Sequence, residues 1–344
     1  MLVSSILFSC RKDEEVPAQT VPELSAQGAY IVNEGNFMSS NASISFMNDS
    51  FAISADPYLA ANGVGLGDVL TSFLNTDGKG YAVLNNNNKV EVFNLSNWLN
   101  VATIAGVSYP RHIVKANNGK LYLSGGNFTG TVYVINGSTN TVESTISVGN
   151  GPERMQVLGG KLYVCNSGGW LEDNSVSVID LNSNTVISTV QVGDRPVDIE
   201  IDNDGQLWVM CMGKTVYNED FSAIIEETPS RLVKIDPSTN LVIWNEQIGE
   251  VGDHASVLEF NSNTNQLMYV NDGVYSLSVN EPTLPGELFV NGDYASVDVR
   301  GNGEVWLTSK SNFINNSILY QYSPQGGLIE QHAGGMGTNA VVFF

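Results

Sequence analysis

The chain has 344 residues, with 36 Asp and Glu against 15 Lys and Arg, and a formal charge of −21. That balance argues against nucleic-acid binding through phosphate neutralisation, and an anionic membrane surface would repel the body of the chain. Only 15% of residues are charged while glycine numbers 34, as expected of a chain rich in tight turns.

In chain order, residues 1–9 form an apolar segment too short to span a bilayer, ending at Leu7-Phe8-Ser9-Cys10. These four residues resemble a lipobox with Cys10 as the acylated residue. The following Arg11-Lys12-Asp13-Glu14-Glu15 is similar to the export signal that sends lipoproteins to the outer face of some Gram-negative outer membranes. The bland alternatives are a buried first strand and a solvated tether. Residues 10–25, with Pro17 and Pro22, read as an extended linker, and residues 26–344 as one domain.

Within that domain, residues 149–193 hold four short apolar runs, at 155–158, 161–165, 175–180 and 185–192. Each is rich in β-branched or aromatic residues, and Gly159-Gly160, a polar loop and Asn182-Ser183-Asn184 separate them. One four-stranded meander cannot bury both of its faces, so it must stack on copies of itself. The copies are there. An aromatic residue anchors the second strand of each: Tyr30, Tyr81, Tyr122, Tyr163, Trp208, Tyr269 and Trp306, spaced 51, 41, 41, 45, 61 and 37 residues apart. Propeller blades recur at about 40–50 residues. The first copy, at residues 28–55, has no first strand before it, and residues 336–344 have the glycine-then-apolar character of the missing piece. Pairing the two ends closes a ring and removes an open edge. The predicted fold is all-β: a seven-bladed propeller with four antiparallel strands per blade. A β-solenoid is the competing stack.

Leu162-Tyr163-Val164 followed by Ser175-Val176-Ser177-Val178-Ile179-Asp180 resembles the YVTN-type, or YncE-like, repeat, which implies the same propeller. Residues 30–37, Tyr-Ile-Val-Asn-Glu-Gly-Asn-Phe, are similar to the opening of a subfamily of surface lipoprotein propellers. That subfamily includes BtuG-like proteins, which capture cobalamin and pass it to a TonB-dependent transporter. The resemblance implies an outer-membrane, surface-exposed location, with a periplasm-facing anchor as the lesser alternative, and membrane contact through the lipid alone.

Loops that join second to third strands share one face of a propeller with those that enter first strands. Here the former carry Phe37, Phe128, Trp170, Tyr217, Phe221 and Phe313, and the latter Tyr109, Arg111, His112, Arg154, Arg195, His254 and Tyr294. Aromatic and arginine side chains gathered on one rim are the types that carry binding energy. This set is the predicted ligand site, with the alternative that each aromatic only covers its own loop. Catalytic and metal motifs are thin. His112 and His254 both begin first strands and are expected to face each other across the axis, in the manner of propeller lactonases and streptogramin lyases. Two histidines without a convergent carboxylate make no metal site. Asp202-Asn203-Asp204-Gly205 has Gly213 where a calcium loop needs its acid, so a plain turn is expected. Cys165 and Cys211 are expected as buried free thiols. No cofactor is called for. The function expected is capture of a small molecule, a corrinoid among the candidates, or of a partner. A propeller enzyme and a glycan- or protein-binding surface-layer component stand as alternatives.

Overall fold

The computed structural model describes residues 27–126 and 128–344. Cys10 and the tether lie outside the described residues. Seven sheets succeed one another along the chain, and their innermost strands touch in cyclic order, so the ring is closed. Blades two to four are unbroken meanders of four antiparallel strands, beginning at Leu70–Thr76, Pro110–Lys115 and Pro152–Leu158. Blade seven is the same from Tyr294–Val299 to Leu328–Ala333. In blade one the first place is taken by Thr338–Phe343 from the far end of the chain. It pairs antiparallel with Gly28–Asn33, as the split repeat predicts.

Why the blades stack is visible in the core. The buried apolar residues fall into clusters that each sit between two adjacent blades. Each blade thus buries one face against each neighbour, and stability is a sum over interfaces. The second-strand tyrosines do this with a repeated clasp. Tyr81, Tyr122 and Tyr163 bury their rings towards the following blade, and their hydroxyls meet the Oδ1 atoms of Asn140, Asn184 and Asn240 at 3.3, 2.8 and 3.3 Å. Each of those asparagines adopts positive φ in the turn between third and fourth strands of that following blade. Asparagine tolerates that conformation, and burying each ring contributes about 1.5–3 kcal/mol. In blade five Trp208 takes the place, its Nε1 donating to the buried Asp202 carboxylate at 2.8 Å. Asp202 also accepts from the backbone of Asp204 and Gln206, so the segment is the plain turn expected. Both described cysteines, Cys165 and Cys211, are buried and free.

The structure departs from the sequence expectation in three places. The sixth anchor is Met268, not Tyr269: Met268 packs towards blade seven while Tyr269 faces blade five, one residue out of phase. Blade six has three strands, Val257–Asn261, Gln266–Val270 and Val274–Ser278, and its fourth place holds only the bridge Val274–Val290. Pro282 and Pro285 in the intervening segment withhold the N–H groups that a ladder needs. Finally, a short helix, Pro57–Asn62, precedes blade two, capped by the Asp56 side chain on Leu59 N and closed by left-handed Gly63.

Candidate functional site

The first strands line the axis, and all but that of blade six start with a β-bulge. In blade three, Pro110 pairs with Gly125 and Ile113 with Leu123, so Arg111 and His112 together oppose one residue. The extra residue breaks the alternation and turns two successive side chains towards the axis. Blade four does the same with Glu153 and Arg154. The mouth of the axis on the loop-rich face is therefore polar. It opens as a cavity of about 370 Å³ lined by these four residues together with Glu34, Arg195 and Asn339, among others.

Two ion pairs organise the cavity. Arg111 Nε donates to both oxygens of Glu153, at 3.1 and 2.9 Å. Arg154 Nε lies 3.3 Å from Asp198 Oδ1, and Asp198 also accepts from the N–H groups of Ile199 (2.8 Å) and Leu258 (3.0 Å). Burial works against the charge of Arg111, but the Glu153 carboxylate outweighs it and raises the pKa. Glu153 is correspondingly held below the usual carboxylate range: burial pushes it up, and Arg111 and His112 pull it down by more. His112, 3.6 Å from Glu153, is pushed down to about 4 by burial, with Arg154 and Arg111 nearby, and is neutral at pH 7. Below Arg154 the axis turns acidic. Burial, and then the neighbouring Asp198, pushes Glu200 up to about 8. Burial lifts Asp298 to about 6, and Glu259 is raised by burial and by Glu200 and Asp298. Among the described residues no group of three or more His, Cys, Asp or Glu side chains converges to hold a metal ion.

Around this mouth stand the rim loops. Phe37, Phe128, Trp170, Phe221 and Phe313 are exposed by 69, 62, 71, 78 and 45%, and Tyr109 and Tyr217 by 44 and 47%. Of the eight exposed aromatic residues described, only Phe344 is not on these loops or first-strand entries. The insertion of blade five forms its own hairpin, Thr215–Tyr217 with Ile224–Glu227, and presents Tyr217, Phe221, Ile224 and Ile225 to solvent. Lys214 ties it to Glu172 of blade four at 3.7 Å.

Two expected members of the site sit elsewhere. Tyr294 is buried between blades six and seven, its hydroxyl donating to Asn291 O and meeting Tyr322 Oη, each at 3.1 Å. The strand's bulge follows it, between Tyr294 and Ser296, and its ring fills the core. His254 does not face His112. Its Nδ1 contacts Met212 O at 3.0 Å, and its Nε2 lies 2.9 Å from Thr215 Oγ1 and 3.1 Å from Glu227 Oε1, so it fastens the hairpin. Arg154 lines the axial cavity, paired to Asp198. Conversely, Glu34, Glu153, Asp198 and Asn339 belong to the axial site although none was singled out in the sequence. The usable signal was the proline at three entries: the two residues after Pro110, Pro152 and Pro196 all reach the axis or its wall.

No protein-family model and no curated protein matches the chain. Solved structures do. A functionally unknown protein from Desulfotomaculum acetoxidans superposes with a TM-score of 0.66 at 12% identity, over 92% of this chain and 99% of that one. A quinoprotein alcohol dehydrogenase-like protein from Bacteroides thetaiotaomicron gives 0.63 at 12% identity, over 92% and 78%. Hydrazine synthase from Kuenenia stuttgartiensis gives 0.56 at 13% identity, over 81% and 99%. What these proteins share with the chain is the β-propeller fold.

Proposed function

We propose that this protein is a non-catalytic binding module that captures a large planar solute of the corrinoid class on its loop-rich face. In this reading a lipid on Cys10 holds it at the outer surface of the outer membrane, where it hands the solute to a TonB-dependent transporter. The supporting observation is the one-sided placement of exposed aromatic side chains: seven of eight ring one end of the propeller. Burying such a side chain is worth about 1.5–3 kcal/mol, so leaving seven in water is unfavourable unless a ligand covers them. The hairpin of blade five adds preorganisation, since Lys214, Thr215 and Glu227 anchor it while its apolar residues stay outward.

Titrating the protein with cyanocobalamin by calorimetry tests the reading. Binding is expected for the native sequence and is lost when Trp170 and Tyr217 are both replaced by Ala, with the melting temperature within a few degrees. No heat with the native protein rejects the corrinoid, and an unfolded double mutant makes the two aromatics structural. The anchor has its own test. Cys10→Ala is expected to move the protein from the membrane to the soluble fraction, because none of the described helices is long and apolar enough to cross a bilayer. Membrane association of that variant without a partner protein would reject acylation at Cys10.

A further inference from the structure

The axial cavity is separate from the aromatic rim and has an unfilled polar balance of its own. Arg111 is matched by Glu153 and Arg154 by Asp198, and His112 is neutral. Among the described residues Arg195 finds no ion pair or side-chain hydrogen bond, and its buried Nε has no partner there. Asn339 Oδ1 is likewise buried and unpartnered. Its orientation is fixed, because Asn339 Nδ2 donates to Leu70 O at 3.1 Å and a flipped amide would set two oxygens against each other. Glu34, from the same blade as Asn339, lines the cavity within the field of Arg111 and makes no ion pair with the described residues. Blades one and five lie on opposite sides of a seven-membered ring. One wall therefore presents acceptors, Glu34 and Asn339 Oδ1, and the other an open guanidinium.

The residue entering the first strand is left-handed in five blades, as Val69, Tyr109, Gly151, Arg195 and Gly337 in blades two, three, four, five and one, so Arg195 shares its conformation with Val69 and Tyr109. For a residue with a Cβ that conformation is unfavourable by about 1–2 kcal/mol. At Gly151 a side chain is impossible, since its Cβ would strike the backbone of Gly168 and Gly169. At 195 there is room, and a large side chain stands where glycine would relieve the strain.

We propose that this cavity is a second binding site, and that it takes a small zwitterion of the free α-amino acid or dipeptide class. The carboxylate meets Arg195, while the ammonium meets Glu34 and Asn339 Oδ1. An anion alone would leave Glu34 facing it, and a cation alone would face Arg195; a zwitterion leaves no charge unmatched. The volume of about 370 Å³ suits a molecule of that size, since a water occupies about 30 Å³. Val197 and Met212 line the same cavity and favour an aliphatic side chain.

Thermal-shift and calorimetric titrations of the full chain with leucine, methionine and glycyl-leucine test the site, with N-acetyl-leucine and leucinamide as single-charge controls. At least one zwitterion is expected to bind, and both controls to bind at least about tenfold more weakly. Arg195→Gly is expected to melt no lower than the native protein, because the strain is relieved, and to lose the ligand shift. Glu34→Gln is expected to weaken the zwitterion and to strengthen N-acetyl-leucine, whose carboxylate then no longer shares the cavity with that of Glu34. The Trp170 and Tyr217 replacements are expected to leave zwitterion binding intact, which separates this site from the rim. No binding by any zwitterion at millimolar concentration overturns the proposal. So does equal binding of N-acetyl-leucine, or a lower melting temperature for Arg195→Gly together with an unaltered response of Glu34→Gln.

Discussion

Deleting residues 338–344 is expected to abolish the cooperative fold of the whole propeller rather than to trim one edge. The lost strand pairs with Ala29–Asn33, and Thr338 Oγ1 donates to the buried Asn33 Oδ1 at 2.7 Å. Val341 and Phe343 pack between blades seven and one, with Phe343 against Trp306 at 5.5 Å between ring centroids. Phe344 stacks on Tyr30 at 4.9 Å. Removal leaves an open sheet edge on blade one and uncovers two interblade clusters at once. With total stabilities of about 5–15 kcal/mol, losing the buried Val341 and the partly buried Ala340, Val342 and Phe343 while uncovering Tyr30 and Trp306, at up to about 1.5–3 kcal/mol for each large side chain, is enough to unfold the domain. Circular dichroism on heating should show no sharp transition for the truncated protein, and protease should cut it throughout. A circular permutant that joins the ends through a short linker and opens the Gly159-Gly160 turn keeps every strand and should melt cooperatively. A truncated protein that melts at the full-length temperature would mean the ring closes without this strand.

That closure was legible because it rests on composition at both ends: a second strand with no first, and an apolar strand with no hairpin partner. Blade number was legible for a similar reason, since each second strand needs a large buried residue facing the next blade. The one slip shows the limit of that signal. In Met268-Tyr269 both residues are large and apolar, and only the pleat decides which faces forward. The short helix before blade two carries its signals openly, with Asp56 before Pro57 and Gly63 after. Six residues, however, show no helical periodicity to go with them. At the site, Arg111, His112 and Arg195 line the axial cavity beside the prolines that begin their strands. The bulge that brings Glu153 in beside Arg154 is a matter of register, and nothing in the residue types announces it. His254 was misplaced for a related reason. Its environment is made by the blade-five insertion, whose hairpin register comes from long-range pairing.

Arg154→Met is expected to destabilise the protein at pH 8 and to be largely tolerated at pH 5. Arg154 is the cation that faces Asp198, Glu200, Glu259 and Asp298 in the lower axis. Glu200 and Asp298 titrate in the folded protein at about 8 and about 6, and Glu259 is raised as well, chiefly because burial disfavours their charged forms. In the unfolded chain the same groups ionise near their ordinary values of about 4. Between those limits the folded state holds more protons than the unfolded state, so stability falls as pH rises from about 4 towards 8. The axis contributes most on the acid side. Removing Arg154 withdraws the charge that makes ionisation of these acids bearable, so the loss grows through the same window. Breaking a dry pair by removing one partner costs about 3–5 kcal/mol. Arg154 is 44% exposed, to the water of the channel, and screening there should reduce the loss to about 2 kcal/mol at pH 8. The check is denaturant unfolding of both proteins at pH 5 and pH 8, with Glu200→Gln in the Arg154→Met background as a third chain. The gap between native and variant should be wide at pH 8, narrow at pH 5, and partly closed at pH 8 by Glu200→Gln. An equal gap at both pH values would make Arg154 a packing residue, and the acids of the lower axis would then be compensated by something other than its charge.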